Sequence, residues 1–144
     1  MTGKVFLDTS ILVYAYDKHE PGKQKTAQAI LLEGLQKDTL VLSVQVLSEF
    51  FMVVTRCIAN PLSLSEARSI IEAVGILPIQ DIDFTMVKRA IDTSSTYGIS
   101  YWDSLIIAAA ERSGCSSIYS EDFNDGQMYH DISVVNPFKK QTPN

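Results

Sequence analysis

The sequence predicts an α/β fold, a three-layer α/β/α sandwich on a parallel five-stranded sheet, and three observations carry that expectation. Short apolar runs of strand length alternate along the chain with longer stretches of helical periodicity, the order that parallel sheets with crossover helices require. The first run, Val5-Phe6-Leu7, is apolar at three consecutive positions, as suits a strand covered on both faces. Two runs lead straight into acids, Leu7 into Asp8 and Tyr119-Ser120 into Glu121-Asp122. In open parallel sheets, ligands gather outside the carboxyl ends of the strands. At 144 residues the chain suits one domain, 1–144, large enough to bury a sizeable core.

Taken in order, the strand at 5–7 leads into a short helix from Ile11 to Tyr16, punctuated by His19-Glu20-Pro21-Gly22. From Lys23 to Leu35, Ala27, Ile30, Leu31 and Leu35 recur at helical spacing. Thr39 to Leu42 is the second strand, and Gln45 to Ile58 a long helix stopped by Asn60-Pro61. Ser65 to Val74 is another helix, and Leu77-Pro78-Ile79 a weak third strand. Phe84 to Tyr97 is helical, Gly98 breaks it, and Tyr101 to Ser113 is helical again up to Gly114. Ser117 to Tyr119 and Ile132 to Val135 supply the last two strands.

Composition narrows the class. With 46% hydrophobic and 20% charged residues, the chain reads as globular, and no apolar run approaches the roughly 18 residues of a membrane span. The N-terminus lacks the charged and apolar segments of a signal peptide, so a cytoplasmic location is expected. Cys57 and Cys115 sit in apolar surroundings without a CxxC or paired His and are expected to be reduced packing residues. The net charge of −5 argues against broad nucleic-acid binding through basic surface. Four acids account for most of it, however, and without Asp8, Glu49, Asp103 and Asp122 the chain is nearly neutral.

Each of those acids has an ordinary explanation. Asp8 can cap the helix that follows it. Glu49, in Val44-Gln45-Val46-Leu47-Ser48-Glu49-Phe50, lies on the shoulder of an apolar stripe and can be a solvated helix acid near Arg56. Asp103 can complete a capping box with Ser100, yet the helical wheel sets it among Ile106, Ile107 and Ala110, where an unpartnered carboxylate is costly. Asp122 stands in Ser120-Glu121-Asp122-Phe123-Asn124-Asp125-Gly126, which reads equally as a turn, and Glu121 and Asp125 compete with it for a place in any site. Together the four fall on one edge of one sheet, where they would repel one another unless a cation held them. Oxygen ligands without His or Cys favour Mg²⁺ or Mn²⁺, and such ions serve hydrolysis of phosphodiesters by activating a water.

Asp8-Thr9-Ser10 after a first strand, Glu49 in a QVLSEF helix, Tyr101-Trp102-Asp103 opening an alanine-rich helix, and Tyr119-Ser120-Glu121-Asp122-Phe123 after a fourth strand resemble a PIN domain, closest to the compact microbial group that includes VapC-type toxins. The resemblance spans nearly the whole chain. It implies a parallel five-stranded sheet, Mg²⁺- or Mn²⁺-dependent cleavage of RNA, frequent homodimers, and inhibition by a small antitoxin protein. By position, Asp8, Glu49, Asp103 and Asp122 match the catalytic acids. Asp8, Asp103 and Asp122 would hold the metal, with Glu49 reaching it through a water. Ser10 and Ser120 match positions that orient ligands, and Glu121 is a supporting residue. The absence of a tail like those of large eukaryotic members leads to the expectation of a small stand-alone nuclease.

Other functions fit less well. A haloacid-type phosphatase needs Asp-x-Asp after the first strand, and Ser10 occupies the second place; a receiver domain needs an early acidic pair and a late Lys. A module of the same fold that holds RNA or protein without cutting remains the alternative, and the intact acidic set argues against it. Lys23, Lys25, Arg56, Lys88, Arg89 and Lys139-Lys140 are the available phosphate contacts. The long helix spreads Val46, Leu47, Phe50, Phe51, Val53, Val54 and Ile58 over more than half its circumference, wider than one buried face needs, and so predicts a homodimer contact unless the helix around Leu62 to Ile71 covers it.

Overall fold

The computed structural model describes residues 3–139, and Lys140, one of the expected phosphate contacts, lies outside them. β1 (Lys4–Leu7) is the centre of the sheet, with β2 (Leu40–Ser43) and β3 (Ile79–Gln80) on one side, and β4 (Cys115–Tyr119), β6 (Ile132–Val135) and β5 (Met128–Tyr129) on the other. The pairings β1–β2, β1–β4, β2–β3 and β4–β6 are all parallel. The sheet has six strands where five were expected, because β5 adds an antiparallel hairpin to β6 at the edge. Two residues show no readable alternation, so nothing in the sequence marked it. β3 starts one residue after Pro78. Pro78 has no N–H for the ladder, but its carbonyl accepts from Leu42 N at 3.0 Å and so brings β3 against β2.

The helices flank the sheet in two packed groups. α1 (Thr9–Ala15) lies on α2 (Pro21–Lys37) and α3 (Val44–Arg56), with α4 (Leu64–Val74) against α3. α5 (Phe84–Tyr97) packs on α6 (Tyr101–Arg112), which crosses β2, β4 and β6. Local chemistry sets the ends. Pro21 occupies the first turn of α2, where its missing N–H costs nothing, and Gly98 ends α5 with φ of 68°. Ser63 and Glu66 form a reciprocal capping box on α4. α6 is buried continuously from Ser104 to Ala110, which explains its apolar run and small residues. Phe6, Leu7, Ile11, Leu42, Phe50, Ile106 and Ile118 form the fully buried centre.

Two expectations need correction. Cys115 is buried, but Cys57 is exposed at the C-terminus of α3, where it borders the cleft beside Val53 and Ile58; its apolar surroundings in the sequence overstated its burial because the helix ends there. Trp102, which the helical wheel of α6 puts on the same face as Ile106 and near Asp103, is 64% exposed, since the first turn of α6 projects beyond the core. Among the described residues, no helix is long and apolar enough to cross a membrane.

Candidate active site

Parallel register brings the first and fourth motifs together. Leu7 of β1 pairs with Tyr119 of β4, and Asp8 N donates to Tyr119 O at 3.0 Å, so Asp8 and Ser120 leave the sheet side by side. Asp8 is 6% exposed. Its Oδ1 accepts from Thr9 N at 2.8 Å, which caps α1, and its Oδ2 accepts from the Ser120 hydroxyl at 2.6 Å. The cap is therefore real but occupies one oxygen only. Ser120 Oγ is fully buried and also accepts from Asp122 N at 3.0 Å, while Ser10 Oγ accepts from Glu121 N at 3.2 Å. These two hydroxyls tie the loop after β4 to the start of α1.

The other acids arrive on helices. Ser43, at the end of β2, caps α3 by accepting from Val46 N at 3.2 Å, and Glu49 follows in the second turn, half-buried. Ser100 Oγ accepts from Asp103 N at 3.1 Å in the first turn of α6. Among the described residues no bond returns from the Ser100 amide to the Asp103 carboxylate, so the capping box is one-sided and leaves that carboxylate uncommitted.

Electrostatics connects all four. The Asp8 carboxyl is pushed up to about 6, first by burial, then by Asp122 and Glu49, against the hydrogen bonds from Ser120 and Thr9. Burial also raises Glu49, with Asp103 and Asp122 adding to it and Gln45 opposing. Asp122 is raised by burial, Glu121 and Asp103. Every charge named in these shifts is negative, so among the described residues the group is shifted by acids and by no base. Thr9, Ser10, Tyr14, Glu49, Glu121 and Asp122 line an adjoining cleft of about 430 Å³.

The three candidates after β4 separate. Glu121 turns to Lys23, at 2.7 Å, and accepts from the Tyr14 hydroxyl at 2.8 Å. Asp125 accepts from Asn136 N at 2.8 Å and lies 3.6 Å from Lys139. Asp122 alone of the three acts electrostatically on Asp8 and Glu49. Sequence reasoning missed Gln45, whose Nε2 donates to Glu49 Oε1 at 2.9 Å and to Trp102 O at 3.1 Å; its place one helical turn before Glu49 was the available signal. Lys23 was grouped with the phosphate contacts, and the structure gives its ammonium to Glu121 and Tyr14.

Among the described residues, no three His, Cys, Asp or Glu side chains are gathered into a ready-made metal cluster. The donor set nonetheless suits a hard divalent cation. It is all oxygen and mutually repelling, and an ion such as Mg²⁺ keeps several waters and needs only one or two carboxylates directly.

Comparison with known proteins bears on the family and the fold. A search of curated protein sequences finds no match. Among solved structures, the chain is similar to the Mycobacterium tuberculosis toxin VapC20, described as cleaving the sarcin-ricin loop, at 16% identity and a TM-score of 0.65, covering 83% of this chain and 90% of that one. It is similar to a chain of a toxin-antitoxin complex from Klebsiella pneumoniae at 15% identity and a TM-score of 0.69, covering 95% and 100%. A chain of the Rickettsia felis VapBC2 complex bound to a promoter DNA fragment matches at 20% identity and 0.63, covering 90% and 96%. At such identities the likeness concerns the fold. The sequence profile of the PIN domain matches residues 5–126, which include every acid of the cluster, and the chain belongs to the PIN domain family.

Proposed function

We propose that this protein is an Mg²⁺- or Mn²⁺-dependent endoribonuclease and the toxin of a toxin-antitoxin pair. The observation that supports it most is the buried Asp8 carboxylate, repelled by Asp122 and Glu49 and, among the described residues, shifted by no base. Asp8, Asp103 and Asp122 would hold the cation, with Glu49 reaching it through a water. When bound, such a cation lowers the pKa of a water and offsets the charge that builds up during in-line displacement at phosphorus. Ser120 keeps Asp8 Oδ2 in one orientation and, through Asp122 N, fixes the loop that presents Asp122. Ser10 steadies the same loop at Glu121 N. On this reading the RNA strand would lie in the cleft beside these groups, with the exposed Lys25 and Arg56 at the surface available to its phosphates.

The motifs supply acids and hydroxyls only. His19 is exposed in the lining of the same cleft and belongs to none of the acid motifs, and His130 is hydrogen-bonded to Thr93 in the hairpin region. Hydrolysis by water therefore fits better than attack by the RNA 2′-hydroxyl, which commonly uses a base such as His. The partners this reading implies are RNA, a second copy of the chain and a small antitoxin. Structural neighbours described as toxin-antitoxin complexes support the last of these.

The test is cleavage of a mixed RNA pool by purified protein with Mg²⁺, with EDTA, and with Asp103→Asn. The expected result is cleavage in Mg²⁺ alone, leaving 5′-phosphate and 3′-hydroxyl ends. Cleavage that persists in EDTA, or products ending in 2′,3′-cyclic phosphate, would overturn the mechanism. RNA binding without any cleavage would favour the non-cleaving module.

A further inference from the structure

Gln45 stands outside every motif, yet its environment is unusual for a helix glutamine. It lies in the first turn of α3 and is only 8% exposed. One amide nitrogen serves two elements, donating to the Glu49 carboxylate at 2.9 Å on its own helix and to the Trp102 carbonyl at 3.1 Å on α6. Trp102 immediately precedes Asp103. The same amide therefore sets the spacing between the two helices that deliver Glu49 and Asp103, and it engages one carboxylate oxygen of Glu49 while leaving the other uncommitted.

The other end of the amide makes the case stronger. Gln45 Oε1 is buried and finds no donor among the described residues. Both acceptors on the nitrogen side require that atom to be the NH₂, so exchanging the two amide ends would place an oxygen against a carboxylate and a carbonyl. A buried unpaired acceptor is destabilising, so this one calls for a donor that the described residues do not supply. That open acceptor belongs to the side chain whose other end holds the Glu49 carboxylate.

We infer that Gln45 is a positioning residue of the acidic site: it orients the Glu49 carboxylate and holds it at a fixed distance from Asp103, and its open carbonyl accepts from an O–H donor that arrives when the site is filled. This inference rests on the divalent-cation reading above. Gln45 acts through Glu49, which distinguishes it from an independent ligand. Residues that orient metal ligands typically change metal affinity or activity by about 10–100-fold when removed.

The experiment uses Gln45→Met, which keeps the length and removes both polar ends, alone and combined with Glu49→Gln. Three quantities are read on the purified chain: Mn²⁺ affinity by titration calorimetry without RNA, kcat and KM on RNA in Mg²⁺, and melting temperature. The expected result is Mn²⁺ affinity weakened about tenfold and kcat lowered by a similar factor with KM within twofold. In the Glu49→Gln background, adding Gln45→Met should change Mn²⁺ affinity by less than twofold, because the group it orients is already gone. If Gln45→Met does not fold, Gln45→Asn is measured instead; it keeps the amide but withdraws it from both acceptors, and the same losses are expected. Wild-type Mn²⁺ affinity and kcat in the folded variant would overturn the inference while leaving the cation reading intact, and so would a full tenfold loss on top of Glu49→Gln. Wild-type protein that binds no Mn²⁺ would overturn the cation reading itself, and this inference with it.

Discussion

At the scale of single residues, the decisive feature is how few of the acids are neutralised. Glu121 and Asp122 are adjacent but differently employed: one carboxylate is held by Lys23 and Tyr14, the other faces Asp8 and Glu49. Asp122→Asn should therefore lower RNA cleavage by at least ~100-fold, if it supports the metal as proposed. Glu121→Gln should leave cleavage within a few-fold and cost under about 1 kcal/mol of stability, because the Lys23 pair is partly solvated. Parallel cleavage and urea-unfolding measurements on the two variants check both halves. The difference was not legible in the sequence, where Glu121, Asp122 and Asp125 follow one another as equals. Choosing among them needs the hydrogen bonds of Ser10, Ser120 and Asn136, which depend on tertiary placement. Asp8 was legible because it ends an apolar strand, and Asp103 because it interrupts an apolar face. Gln45 was not, since a helix glutamine breaks no pattern.

At the scale of elements, the strands and helices follow the apolar periodicity closely, with α5 matching its expected bounds of Phe84 and Tyr97. The departures have local causes. α1 starts at Thr9, two residues earlier than the apolar run suggests, because the Asp8 cap lets the helix begin at once. The two-residue strands β3 and β5 exist through their neighbours and not through propensity. Close packing between α2 and β2 depends on Gly34, where an added Cβ would overlap the Leu40 side chain. Gly34→Ala should accordingly cost about 1–3 kcal/mol despite the better helix propensity of alanine, readable by urea unfolding. The wide apolar surface of α3 is covered in part by α4, and Val44, Leu47, Phe51, Met52 and Ile71 line a shallow groove there, with Met52 46% exposed. A homodimer through this face would be detected by sedimentation at roughly 100 μM, where a micromolar dimer is mostly formed. Met52→Glu should shift it toward monomer, and a wild-type protein that stays monomeric would show that α4 suffices as cover.

At the scale of the whole molecule, the fold concentrates negative charge at the carboxyl edge of its sheet, and this sets how stability depends on pH. Asp8, Glu49 and Asp122 titrate above their ordinary range when folded. At these three sites the folded chain thus binds protons more readily than the unfolded one, and for Asp8 the stability that the proton confers is full below about pH 4 and lost as pH rises through about 6. For Asp8 alone, a rise from 3.8 to about 6 corresponds to on the order of 2–3 kcal/mol. Glu33, Glu66, Asp83 and Glu111 are shifted downward by their partners and act in the opposite direction, so stability also falls as pH drops through the carboxylate range. Metal-free protein should melt highest near pH 5 and lower at pH 7.5, and Mg²⁺ should raise the pH 7.5 value. A melting temperature that is flat across this window, with and without Mg²⁺, would remove the repulsion from the account. Asp8→Asn keeps an acceptor for Thr9 N and removes one buried charge, so in metal-free protein at pH 7.5 it should be about as stable as wild type or more stable by on the order of 1 kcal/mol. The same variant tests the central claim that these carboxylates form one divalent-cation site. Mn²⁺ titrated calorimetrically at pH 7.5 should bind the wild type and bind Asp8→Asn and Asp103→Asn at least about tenfold more weakly, whereas equal affinity in all three proteins would contradict it.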